Sequence, residues 1–126
     1  MAKYILIVDD SKTVRASVTY TLKKVGYEVV EAVNGQDGVD ILKKLSADNR
    51  RPSMIITDVN MPLMDGISFI KEVKRDSSLK FVPIIVLTTE SQKEMKLEGK
   101  KAGAAGWLVK PFKPEQLEQL ARKFVR

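Results

Sequence analysis

Asp9 and Asp10 close the apolar run Ile5–Val8, Asp58 follows "MIIT", Thr88 follows "PIIVL", and Lys110 follows "GWLV". Each of these polar side chains stands at the end of a short apolar stretch. Three aspartates and one lysine carry a formal charge of −2. Two carboxylates about 4 Å apart repel by roughly 4 kcal/mol at an effective dielectric near 20. Either an acid takes up a proton or a divalent cation balances the group. The chain has no histidine and no cysteine, so the available donors are oxygens, which suit a hard ion, Mg²⁺ or Mn²⁺. Mg²⁺ keeps several waters and accepts phosphate oxygens, so the set suits phosphoryl transfer, where positioning and charge neutralisation supply most of the catalysis. The same two absences exclude Ser-His-Asp catalysis, the usual zinc ligands, disulfides and thiolate chemistry. A cysteine-free chain fits a reducing cytoplasm.

For these residues to meet, the runs that carry them must lie side by side. Tyr4–Asp9, Tyr27–Ala32, Met54–Asp58, Pro83–Thr88 and Gly106–Val109 are short, apolar and rich in β-branched residues, which predicts strands. Between them lie amphipathic stretches. Val14, Val18, Leu22 and Val25 recur at helical spacing before Gly26, and Val39, Leu42 and Leu45 give a second helix its face after a turn at Asn34-Gly35. "LSADNRRPS" is polar and predicts a surface loop. Asp65 is placed to cap a third helix with Ile67, Ile70 and Val73 buried. Gln92–Ala102 is a weaker helix containing Gly99, and Pro114 opens a last one with Leu117, Leu120, Ala121 and Phe124 on one stripe.

Strand and helix thus alternate five times, predicting an α/β fold with a parallel sheet covered on both faces. Residues 1–126 read as one domain without linker or repeat, and no effector domain is expected. In open parallel sheets, ligands bind beyond the carboxyl ends of the strands. A lone polar residue there is commonly a cap or a turn residue. Convergence of four strand ends on one edge is a stronger signal. Successive strand residues point to opposite faces, so Asp9 and Asp10 are not equivalent. The first apolar run is too short to span a membrane, and the net charge of +6 admits acidic partners without identifying one.

Taken together, "VDD" at Val8–Asp10, "TDVNMPLMDG" at Thr57–Gly66, "LTTE" at Leu87–Glu90 and "KPF" at Lys110–Phe112 resemble the receiver domain of two-component response regulators. The similarity covers essentially the whole chain, with the motifs in family order. It implies a doubly wound (βα)5 sheet of flavodoxin-like topology, strand order 2-1-3-4-5. It implies that Asp58 accepts a phosphoryl group from a sensor histidine kinase. Asp10, Asp58 and the backbone carbonyl of Asn60 would ligate Mg²⁺, with Asp9 acting through a bound water. Lys110 would pair with a phosphoryl oxygen and Thr88 would donate its hydroxyl to another. The Lys110–Pro111 bond resembles the family's cis peptide.

With a divalent cation the site sums to zero, and phosphorylation at neutral pH would leave about −1 with three strong acceptors. Trp107 stands where the family commonly has Tyr or Phe as its aromatic switch, and Thr89 where a smaller residue is common. Asn60 and Glu90 lie two residues beyond Asp58 and Thr88 and would flank the water that attacks the acyl phosphate. With Ser91-Gln92-Lys93-Glu94 they look like the chemotaxis branch.

Lys93, Lys96 and Lys100 share a face of the fourth helix, with Lys101 and Lys113 near in sequence. The resemblance makes the fourth helix, fifth strand and fifth helix an output surface for a downstream protein, such as a flagellar motor component or a phosphatase. A solubilising face is the plainer account. A nucleic-acid interface lacks aromatic interleaving and a recognition motif, and no membrane partner is expected. The chain is expected to act as a monomer, catalysing only its own phosphorylation and dephosphorylation. A phosphorelay intermediate and a phosphate sink remain open as alternatives. An aspartyl phosphatase of the haloacid dehalogenase type needs Asp-x-Asp, but Ser11 and Lys12 stand two beyond Asp9 and Asp10. A flavin or nucleotide module would want a glycine-rich loop after the first strand, which "DDSKTVRAS" does not supply.

Overall fold

The computed structural model describes residues 4–89 and 93–125, in which strands and helices alternate throughout. The elements are β1 (Tyr4–Val8), α1 (Lys12–Lys24), β2 (Val29–Ala32), α2 (Gly35–Ala47), β3 (Pro52–Asp58), α3 (Gly66–Arg75), β4 (Ile84–Thr89), α4 (Lys93–Ala102), β5 (Gly106–Lys110) and α5 (Pro114–Phe124). All strand pairs are parallel, and the order across the sheet is β2-β1-β3-β4-β5. The predicted doubly wound topology is therefore the one observed. No helix among the described residues is long and apolar enough to cross a membrane.

The alternation of strand side chains builds two cores from one sheet. Ile5, Ile7, Met54, Ile56, Ile85, Leu87 and Leu108 pack with Val18 and Leu22 of α1 and Leu117 and Ala121 of α5. Tyr4, Leu6, Val8, Ile55, Ile84 and Val86 pack with Leu42 of α2 and Phe69, Ile70 and Val73 of α3. Because both faces are covered, the strands read as near-continuous apolar runs instead of alternating ones.

Several boundaries differ from the sequence reading for identifiable reasons. β2 begins at Val29, not Tyr27, because the Tyr27 N–H donates to the Leu22 carbonyl and closes α1 instead of entering the sheet. Gly26, at φ +99°, permits that closure, and Val25 becomes an exposed helix cap. Asn34 is the N-cap of α2, its side chain accepting from the Asp37 N–H, so no separate turn precedes that helix. The predicted nine-residue loop shrinks from both ends: α2 runs to Ala47 and β3 starts at Pro52, paired with Tyr4. Proline is tolerated there as the first residue of a strand. Asp65 caps α3 as expected, accepting from the Ser68 N–H. The buried arc of that helix includes Phe69, which the sequence reading omitted, while Ile67 is only half-buried. Phe69 fits because Gly38 faces it: a Cβ on Gly38 would come within 2.8 Å of the phenyl ring.

Candidate functional site

The direction of winding reverses at β1, with β2 on one side and β3 on the other, and the crevice outside that point is where such sheets take ligands. Asp9 and Asp10 follow β1 and Asp58 ends β3 at this crevice. Each offers a carboxylate oxygen within 4.8 Å of the others.

The three acids are not alike. Asp9 is fully buried. Its N–H donates to the Ala32 carbonyl, extending the ladder by one residue, and its Oδ1 accepts from the Ser11 N–H at 2.8 Å. Burial pushes its pKa above the ordinary carboxylate value, and Asp58 pushes the same way; the Ser11 N–H and the Lys110 ammonium pull it back. Asp10 is exposed, two residues beyond the end of β1. Asp58 lies between these extremes, its side chain 12% exposed and so open to a reagent on one side.

Lys110 bridges the pair behind. Its ammonium lies 3.3 Å from Oδ2 of Asp9 and 3.2 Å from Oδ1 of Asp58. The parity of the strands explains why these groups meet. Asp58 and Lys110 fall in step with Met54, Ile56 and Leu108, on the α1/α5 side of the sheet. Thr88 and Trp107 fall out of step with Leu87 and Leu108, on the opposite side.

Thr88 is fully buried, and its hydroxyl has no hydrogen-bond partner among the described residues. An unpartnered buried hydroxyl costs about 1–3 kcal/mol. Trp107 is not a core aromatic. It is 43% exposed, and the Lys96 ammonium sits 5.7 Å from its ring centroid. Thr89, half-buried at the end of β4, pairs in register with Lys110. The Lys110–Pro111 peptide bond is cis. Glu90, with Ser91 and Gln92, lies outside the described residues.

The β3–α3 segment holds the backbone of Asp58. The Gly66 N–H donates to the Val59 carbonyl at 2.8 Å, and the Thr57 hydroxyl donates to the Asp58 carbonyl at 2.9 Å. A Cβ on Gly66 would fall 2.1 Å from the Asp58 carbonyl oxygen, so only glycine lets the helix start this close to the strand end. Asn60 is exposed in this segment, and Leu63 takes a φ of 68°. Sequence reasoning missed Ser11 and Arg15 as parts of the site. Ser11 binds Asp9, and the Arg15 guanidinium donates to the Asp9 carbonyl at 2.8 Å. The only available signal was their place in the first turns of the helix that follows the acids.

Lys93, Lys100, Lys101 and Lys113 are exposed, and Lys96 is half-buried against Trp107. The basic face of α4 therefore adjoins β5.

The donor set fits a hard divalent ion. Three carboxylates converge, one is open to solvent, and one cation only partly offsets them. Comparison with known proteins points the same way. The profile of the response regulator receiver domain matches residues 5–122. The chain is 41% identical to chemotaxis protein CheY1 of Helicobacter pylori, over 91% of this chain and 90% of that one. Among solved structures, Vibrio cholerae chemotaxis protein CheY4 superposes with a TM-score of 0.86 at 44% identity, covering 99% of this chain and 100% of that one. The receiver domain of a Pseudomonas aeruginosa sensor histidine kinase, solved with a magnesium ion coordinated in its active-site cleft, gives 0.83 at 27% identity, covering 98% of each.

Proposed function

The chain belongs to the response regulator receiver domain family, and from that premise we propose that it is a phosphorylation switch of the chemotaxis type, with Asp58 as acceptor. Its relatives are matched along nearly their whole length, which supports reading the chain as one receiver domain. The observation that carries the assignment is the seating of Asp58: a partly open carboxylate held between a buried aspartate, an exposed aspartate and a lysine.

In this reading an Asp58 oxygen forms a bond to phosphorus as the donor histidine's N–P bond breaks. The electron pair of that bond returns to the imidazole, which leaves with a proton. Receiver domains bind Mg²⁺ at an acidic pocket, and here Asp10, Asp58 and the Asn60 carbonyl would hold it, with Asp9 behind them. When bound, the ion would offset the charge that builds on the transferred phosphoryl oxygens. Lys110, already beside Asp58, stays within reach of one new oxygen. Thr88 gains the acceptor it lacks by donating to another.

The new bonds exist only in the phosphorylated state, which is what a shift of population requires. Thr88 and Trp107 share one side of the sheet, so an inward move of Thr88 opens space toward which the indole can turn. The surface of α4, β5 and α5 then changes shape, and an acidic protein partner fits its lysines. That similar proteins are chemotaxis proteins favours a chemotaxis output over a phosphorelay intermediate or a phosphate sink, which would use the same site. A flagellar motor component in the cytoplasm is the partner this reading expects. Asn60 and Glu90 would set the lifetime of the acyl phosphate.

Incubation with acetyl phosphate and Mg²⁺, followed by intact-mass measurement, tests the assignment. One phosphoryl adduct is expected on the unmodified chain, and none on Asp58→Asn protein or in the presence of a chelator. An adduct that persists on the Asp58→Asn protein overturns it.

A further inference from the structure

Asp10 presents a difficulty that its neighbours do not. Asp9 is locked by burial, by the Ser11 N–H and by Lys110. Asp10 is exposed, so no packing around its side chain fixes where its carboxylate points. Its position must come from the backbone that carries it. The peptide joining Asp9 to Asp10 has one end gripped: the Asp9 carbonyl accepts from Nη1 of Arg15 at 2.8 Å.

Arg15 is itself held. Its Nε lies 3.2 Å from Oε1 of Glu31, which stands on β2 opposite Ile7 of β1, and its side chain is only 13% exposed. The guanidinium is a rigid planar fork, so seating Nε on Glu31 fixes where Nη1 points. A chain of contacts therefore runs from β2 through Glu31 and Arg15 to the Asp9–Asp10 peptide. Among the described residues Arg15 bonds to Glu31 and to the Asp9 carbonyl, and to none of the three carboxylates. Its effect on them is to set the plane of the peptide between two of them.

We propose that Arg15 is a positioning residue: by fixing the Asp9–Asp10 peptide plane, it presents the exposed Asp10 carboxylate to a divalent cation at the spacing the site needs. The proposal rests on the metal reading given above. Without Arg15 that peptide can tilt, Asp10 samples a wider arc, and the ion loses a preorganised ligand. Residues behind the ligands of a metal commonly alter affinity by about tenfold or more when removed. A residue that merely stabilised α1 would lower the melting temperature and leave ion affinity in the folded protein unchanged.

The test is direct titration of Mn²⁺, followed by electron paramagnetic resonance, with Mg²⁺ as competitor and no phosphodonor present. It is run well below the melting temperature of each protein. Arg15→Ala should weaken Mn²⁺ binding about tenfold. Arg15→Lys, which can reach the carbonyl but cannot fork to Glu31, should recover part of that loss. Glu31→Gln should weaken binding by about two- to threefold, since a neutral acceptor still orients the guanidinium, though less firmly. A folded Arg15→Ala protein that binds Mn²⁺ within twofold of the unmodified chain overturns the proposal. If Arg15→Ala does not fold, Glu31→Gln decides, and unchanged affinity there overturns it equally. Failure of the unmodified, folded chain to bind Mn²⁺ at all overturns the metal reading itself, which separates the two failures.

Discussion

Lys110 reaches Asp58 across an intervening strand: its Nζ lies 3.2 Å from Oδ1 of Asp58, although β4 separates β5 from β3. The same ammonium touches Asp9, one strand further on. One side chain therefore links the carboxyl ends of β5, β3 and β1, passing over β4, the strand that carries Thr88.

Removing that ammonium leaves two carboxylates facing each other. Breaking a fully buried pair costs several kcal/mol, but Lys110 is 23% exposed, so Lys110→Ala should lower metal-free stability by only about 2 kcal/mol. Mg²⁺ should restore most of the loss, because it supplies the missing positive charge. Urea unfolding with and without the ion reads both effects. Equal losses under the two conditions would show that Lys110 does not balance the acids.

Asp9 sets a pH dependence. Burial raises its folded-state pKa above the ordinary value of 3.8. The folded protein then keeps a proton that the unfolded chain has released, so this contribution to stability is present at low pH and is lost as pH rises through the folded pKa. Metal-free protein should gain stability on acidification from neutral pH toward the ordinary carboxylate range. Asp9→Asn, which mimics the protonated form, should be more stable at neutral pH and gain less on acidification. Melting curves across that window decide. An unchanged slope in the variant would assign the effect to another group.

Thr88 carries its hydroxyl at a cost. Thr88→Val keeps the shape and removes the unpartnered oxygen, so the unphosphorylated protein should become about 1 kcal/mol more stable. The variant should still accept beryllofluoride at Asp58 but lose the accompanying change in emission of Trp107, the only tryptophan. A wild-type emission change in Thr88→Val protein removes the hydroxyl from the switch.

Gly66 and Gly26 separate two kinds of glycine requirement. Gly66→Ala drives a methyl group against the Asp58 carbonyl and should cost about 3 kcal/mol while slowing the proposed phosphorylation, because the end of β3 must shift. Gly26→Ala meets open space but a φ of +99°, so it should cost about 1–2 kcal/mol without touching the reaction. Denaturation and acetyl phosphate labelling of both variants test the pair. Equal effects on labelling would refute the distinction.

The five βα repeats were legible because both faces of the sheet are covered, which turns each strand into an apolar run that ends abruptly at a polar residue. The site was legible for the same reason: Asp9, Asp58, Thr88 and Lys110 are the places where those runs stop. Boundaries were less so, because they depend on where backbone bonds go. Nothing in the letters of Tyr27 says that its N–H closes α1. Phe69 was hidden because its space is made by Gly38 on another helix. The two-sided arrangement, with Asp58 and Lys110 on one side and Thr88 and Trp107 on the other, follows from parity but needs the register to be seen. Arg15 was invisible because its partner at the site is a carbonyl, a group every residue has.

α4 contains a single buried residue, and it is Gly99. A Cβ there would stand 3.2 Å from Val86, so helix and sheet meet through a hydrogen atom where other helices insert a branched side chain. Met95 and Ala102 add partial cover, while Leu97 points outward at 55% exposure. Little apolar contact is given up when such a helix lifts. Its amides should exchange with deuterium through local opening, at a free energy well below that of global unfolding, while those of β1 and β3 wait for the whole molecule. The helix beside Trp107 thus has the fewest buried residues of the five, and a bond or two formed at Thr88 has little apolar contact to overcome there.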